Sequence, residues 1–120
     1  MARFVVKKET EGTWIPDPFM KLPKGATVKV LRHDRKAGII DMLIKRPDGY
    51  VEPRHTHSSF HSIVVLEGRV NVAGKELKAG GYIYGPPGVP HGPFEWHDGC
   101  VVFAHFEGDP VHHYKKSTDD

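Results

Sequence analysis

The chain has 120 residues, a formal net charge of +2, 38% hydrophobic side chains, 13 glycines, 10 prolines and one cysteine. One domain of that size buries roughly two-thirds of its unfolded surface, and the composition is too apolar for disorder. Interleaved charges without a basic, aromatic-studded stripe give nucleic-acid binding little support, and a lone Cys100 rules out an intrachain disulfide framework.

The N-terminus, Met1-Ala-Arg-Phe-Val-Val-Lys-Lys-Glu9, lacks the apolar core of a signal peptide. The short apolar runs cannot span a bilayer. The expectation is a cytoplasmic protein with no membrane partner. No helical periodicity stands out; turn residues break the chain about every eight to twelve residues, as short strands require. Ala26–Arg32 alternates as a half-buried strand, and Gly38–Ile44 is more continuously apolar. Arg46-Pro47-Asp48-Gly49 is a turn in which proline presets φ and glycine takes the left-handed position. A histidine-rich strand follows, then Ser62–Leu66, a Glu67-Gly68 turn, and Val70–Val72. Ala73-Gly74 turns into Lys75–Leu77, Gly80-Gly81 opens Tyr82–Tyr84, and Val101–Phe106 is the last clear strand. One all-β domain over residues 1–120 is expected, a β-sandwich or jelly-roll barrel, with the tail from Asp109 fraying.

The histidines carry the chemistry. His55 and His57 are two apart and share a strand face, and His61 keeps that parity. His91 arrives from a separate segment, Pro86-Pro87-Gly88-Val89-Pro90, whose prolines limit the conformations of the loop that delivers it. Imidazole is the commonest protein ligand for transition metals, and inward imidazoles without an ion to bind would be costly to bury. These residues point to one divalent metal.

Gly49-x5-His55-x-His57, with His61 and Gly68 following, resembles the first cupin motif. Gly80-x5-Pro86-x-Gly88-x2-His91 resembles the second; together they cover about a third of the chain. The resemblance implies a cupin jelly-roll β-barrel, or double-stranded β-helix, with His55, His57, His61 and His91 as metal ligands. Two positions depart from the common pattern: most cupins have Glu at His61 and Asn at Glu95. An imidazole in place of a carboxylate leaves the ion more of its positive charge; alternatively, His61 stands off the metal and three histidines remain. The all-nitrogen set is similar to that of dioxygenases cleaving β-diketones and hydroxyacetophenones, and to zinc-binding cupin domains of anti-sigma factors. The resemblance thus implies an iron(II) dioxygenase acting with O2 on a small diketone or hydroxy-ketone. The other readings are a non-catalytic binding or sensor domain, or a Lewis-acid lyase, isomerase or hydrolase using Zn2+, Ni2+ or Mn2+; as the bound ion Fe2+ is favoured, with Zn2+, Ni2+, Mn2+ and Cu2+ as the alternatives. Anti-sigma cupins carry a helical partner-binding domain for which this chain has no room, so the expectation leans to an enzyme. A homodimer is expected on the same resemblance.

Supporting residues are less determined. Glu95 either orients a ligand or acts as a base, or is an exposed loop carboxylate. His105 shares strand parity with Val101 and Phe103 and either enters the barrel to move protons or is simply packed. Tyr82 and Tyr84, and the aromatics Phe60, Phe94 and Trp96, are pocket walls or ordinary core. His33 and His97 are expected at the surface, His112-His113 in the tail as an adventitious metal binder, and Cys100 as a buried small hydrophobe.

Overall fold

The computed structural model describes residues 3–114. Ten strands and no helix form among the described residues: β1 (Ile15–Pro16), β2 (Thr27–Asp34), β3 (Ile39–Arg46), β4 (Tyr50–Glu52), β5 (His55–Thr56), β6 (Phe60–Val72), β7 (Lys75–Leu77), β8 (Tyr82–Gly85), β9 (Phe94–Glu107) and β10 (His113–Tyr114). The main sheet runs β1-β2-β3-β9-β6-β7, with β4 added to β9 and β8 to β6, all antiparallel where paired. This is the all-β jelly-roll barrel that the strand pattern implies.

Two long strands, β6 and β9, form its spine and pair along most of their length. Each changes its other partner part-way, which curls the sheet on itself: β9 pairs β4 through Phe94–Trp96 and β3 from Cys100 on. The curl is built from bulges. The β6–β9 register shifts on either side of Glu67, and Gly68, at φ 75°, lies against the opposite backbone. A Cβ there would stand 2.7 Å from the His97 carbonyl oxygen and 2.8 Å from Cys100 Cα, so only glycine fits. Glu67-Gly68 is therefore a bulge within one continuous strand rather than the turn expected. Likewise β9 begins at Phe94 instead of Val101, passing through Asp98 and Gly99 at φ 65°.

The apolar faces of these strands close on one core of Met20, Val28, Ile40, Met42, Ile44, Ile63, Val65, Val70, Phe94, Trp96, Val102 and Phe106. Cys100 is buried with them, and burial pushes its thiol up to about 11. One end of the barrel is closed by two loops. Asp17 accepts backbone hydrogen bonds from Phe19, Met20 and Leu22 at 2.9 Å, which turns the chain and seats Met20 in the interior. Across it lies the C-terminal segment, where His112 N–H donates to Met20 O at 2.8 Å and Tyr114 Oη–H donates to Lys21 O at 2.8 Å. β10 then pairs with β5, the strand that carries His55. Residues 109–114 are thus tied down by side-chain and backbone bonds that no local sequence pattern signals; the rest of the tail lies outside the described residues.

Candidate metal centre

Local backbone brings the histidines together. His55 and His91 form an isolated antiparallel bridge, each backbone N–H donating to the other's carbonyl at 3.0 Å. The Pro/Gly-rich loop therefore delivers His91 alongside β5. The burial alternation that starts at His55 continues through His57, Ser59 and His61, keeping these side chains inside although the ladder is interrupted between β5 and β6. His55, His57 and His61 are each at most 3% exposed.

The imidazoles of His55, His57 and His91 offer one donor atom each, all within 4.8 Å of one another. Backbone carbonyls set their tautomers. His55 Nδ1–H donates to Pro53 O at 2.9 Å, His57 Nδ1–H to Ser59 O at 2.8 Å, and His91 Nδ1–H to Val89 O at 2.7 Å. A carbonyl only accepts, so Nδ1 holds the proton and Nε2 is left with its lone pair. Burial pushes the His55 and His57 imidazoles down to about 4, so both are neutral near pH 7. His57 Nε2 and His91 Nε2 nevertheless lie 2.9 Å apart. Two ring nitrogens at that distance are stable when a cation, a proton or a metal ion, sits between them. Gly85 completes the cradle: a Cβ there would come within 3.2 Å of His57 Nε2 and 3.3 Å of His91 Cε1. The residues present fit a divalent metal held by His55, His57 and His91.

His61 stands differently. Its ring stacks between His57, centroids 3.4 Å apart, and Phe106, at 3.6 Å, and its Nε2 pairs with Ser59 Oγ at 2.8 Å. It belongs to neither group of converging donors among the described residues. Burial holds its imidazole far below the ordinary range, so it too is neutral.

A second group shares His55: Glu52, His55 and His112, all buried, with donor atoms within 4.8 Å. His112 stands where the tail was expected to fray. Its ring centroid is 4.2 Å from that of His55, its Nδ1–H donates to Pro110 O at 3.0 Å, and burial pushes it down to about 2. Glu52 pairs with Arg46 in a buried salt bridge, and the Arg46 guanidinium lies 3.9 Å from the Trp96 ring centre. Arg46 and Glu52 had a legible signal. Ile40, Met42 and Ile44 put Arg46 on the inward face of β3, and Tyr50 does the same for Glu52 on β4. His112 had none, because its place depends on the long-range bond to Met20.

Glu95 and His105 are not brought to this site. On β9 the inward residues are Phe94 and Trp96, then Cys100, Val102, Ala104 and Phe106, so Glu95 and His105 take the outer face. His105 does share parity with Val101 and Phe103, as expected, but that face points away from the barrel interior; its Nδ1 pairs with Asp41. Glu95 sits exposed near His97, at 3.9 Å. Tyr82, Tyr84 and Phe60 are also external, whereas Phe94 and Trp96 are core.

Comparison with known proteins agrees with this architecture. The chain is similar to an acetylacetone dioxygenase from Acinetobacter johnsonii, TM-score 0.76 at 17% identity, over 100% of this chain and 83% of that one. It is similar to the polyketide cyclase RemF from Streptomyces resistomycificus, TM-score 0.71 at 21% identity, over 99% and 89%. It also resembles a chain in the Rhodobacter sphaeroides complex of SigE with the anti-sigma ChrR, TM-score 0.65 at 20% identity, over 84% of this chain and 52% of that one. A search of curated protein sequences returns no match. Residues 7–108 match the ChrR cupin-like domain, and on that match, which spans most of its length, the chain belongs to that cupin family.

Proposed function

We propose that this protein is a mononuclear metal-dependent enzyme, an iron(II) dioxygenase that cleaves a C–C bond in a small diketone or hydroxy-ketone. The observation that carries the reading is the convergence of three imidazoles, His55, His57 and His91, with no carboxylate in that set. Three protein ligands leave positions for substrate and O2. Iron(II), when bound, would supply Lewis acidity toward a substrate carbonyl oxygen and a one-electron route to O2.

The chain's own residues do the rest. Pro53, Ser59 and Val89 hold the ligand tautomers through their carbonyls. His61, stacked on His57, fixes the plane of that ring; it stands as a tuning partner in this proposal. Ile63, Ile83, Phe94 and Phe106 line the interior beside the ligands and keep bulk water out. Glu52, rather than Glu95 or His105, is the carboxylate in reach of a ligand histidine, and is the candidate to accept a proton. The proposal includes a homodimer, for which Tyr82 and Tyr84, exposed on strand β8, supply an apolar face.

The test is metal analysis of protein purified anaerobically without a tag, followed by oxygen-electrode assays of the iron-loaded protein with small diketones and hydroxy-ketones. Stoichiometric iron and substrate-dependent oxygen uptake are expected. A second reading, a metal-binding sensor domain without turnover, is favoured by the family match over residues 7–108. Stoichiometric zinc with no oxygen uptake under any metal would select it.

A further inference from the structure

Beside the ligand set, and sharing His55 and His91 with it, lies a small interior chamber of about 20 Å³, lined in part also by Arg46, Glu52, His112 and Trp96. That volume holds one water-sized group. Arg46 and Trp96 are 2% and 1% exposed, yet Arg46 Nη1 and Trp96 Nε1 have no hydrogen-bond partner among the described residues. Buried donors of this kind are costly unless something accepts from them. Glu52 and His112 supply the opposite character. The carboxylate only accepts, and His112, its Nδ1–H given to Pro110 O, has a lone pair at Nε2.

We propose that this chamber is a subsite for one hydroxyl group of the substrate, which selects hydroxy-ketones over diketones. The proposal rests on the metal-enzyme reading above and narrows its substrate class. A hydroxyl oxygen accepts from Arg46 and Trp96 while its proton is donated to Glu52 or His112, so one atom satisfies both kinds of partner. A carbonyl oxygen accepts from the same donors but turns a lone pair toward those of Glu52 and His112. Between substrates, a single water does what the hydroxyl does and is displaced by it. The C-terminal segment takes part directly, because it carries His112 into the chamber.

The test titrates cobalt-loaded protein anaerobically with acetoin and with diacetyl, which differ by a hydroxyl in place of one carbonyl. The visible spectrum of the cobalt centre and the heat of binding are read together. Acetoin is expected to bind at least about tenfold more tightly, as sites built around a hydroxyl discriminate. Trp96→Phe removes a donor that serves both ligands and should weaken both alike. His112→Phe removes an acceptor that serves only the hydroxyl and should weaken acetoin alone. Each variant is first checked for a cooperative melt; if Trp96→Phe does not fold, the wild-type ratio and His112→Phe carry the test. Equal affinities in the wild type, or a preference unchanged by His112→Phe, would overturn the hydroxyl subsite and leave the metal reading standing. If neither compound disturbs the cobalt spectrum, both are overturned.

Discussion

His57 Nε2 and His91 Nε2 stand 2.9 Å apart across 34 residues of sequence, each with its Nδ1 proton committed to a backbone carbonyl. Burial holds His57 neutral, so its Nε2 meets His91 as a lone pair. The contact is stable when a cation accepts both lone pairs, and a site preset in this way binds metal without rearranging its ligands.

Replacing His57 or His91 with alanine should therefore cost more than the ~10–100-fold in metal affinity typical of outer-shell changes. His61→Phe, which keeps the stack between His57 and Phe106, should retain one ion per chain. Glu95→Gln and His105→Gln, on the outer face, should leave metal content unchanged. Chelator competition followed by metal analysis reads all of these. Loss of the ion in His61→Phe would make His61 a ligand after all.

Gly85→Ala tests the cradle. The new methyl would press within 3.2 Å of the donor nitrogen of His57 and 3.3 Å of His91 Cε1. The expected result is a folded protein with metal affinity lowered by about tenfold, as when a ligand's support is disturbed. Unchanged affinity would mean that the imidazoles have room to retreat.

Acid should destabilise the metal-free protein. In the unfolded chain a histidine titrates near ~6.5, whereas burial holds His55 and His57 at about 4 and His112 at about 2 in the folded state. Above the unfolded value both states are neutral and stability is flat. Below it the unfolded chain binds protons that the folded one refuses, so stability falls as pH falls until each folded value is passed. Each pH unit costs up to about 1.4 kcal/mol per imidazole. Those three histidines predict a drop in melting temperature of roughly 10–15 °C between pH 7 and pH 5.5. Scanning calorimetry across that range checks it; a flat profile would mean the imidazoles are open to water.

Arg46 and Glu52 should be worth more as a pair than as individuals. Glu52→Ala strands the Arg46 charge in the interior, at a cost of about 3–5 kcal/mol. The double change Arg46→Met with Glu52→Leu removes both charges and should cost less than the single change, as denaturant unfolding would show. A double variant less stable than Glu52→Ala would point to packing on Trp96 as the larger contribution.

Deleting residues 109–120 should leave the barrel folded but uncover one end of it. The deletion removes the His112–Met20 and Tyr114–Lys21 bonds and the β5–β10 pairing. Hydrogen exchange at Thr56, opposite His113, should accelerate, while the amide of His55, which donates to His91, stays protected.

The sequence by itself determined the fold class and the histidines worth examining. Alternation of apolar residues and regular turns dictate short antiparallel strands, and the spacing of His55, His57 and His61 puts them on one face whatever the strand pairs with. Those are local properties, written in backbone periodicity. It left Glu95 and His105 open between the site and the outside, because parity along β9 says which residues share a face but not which face turns inward; the bulges around Glu67 and Gly99 decide that. It missed His112 because nothing near residue 112 signals burial, and only the hydrogen bond to Met20, held by Asp17 on a distant loop, brings that ring against His55. The tautomers of the ligands and the pairing of Arg46 with Glu52 are likewise tertiary facts. They depend on which carbonyl and which charge lie within about 3 Å, and distances of that kind exist only once the barrel has closed.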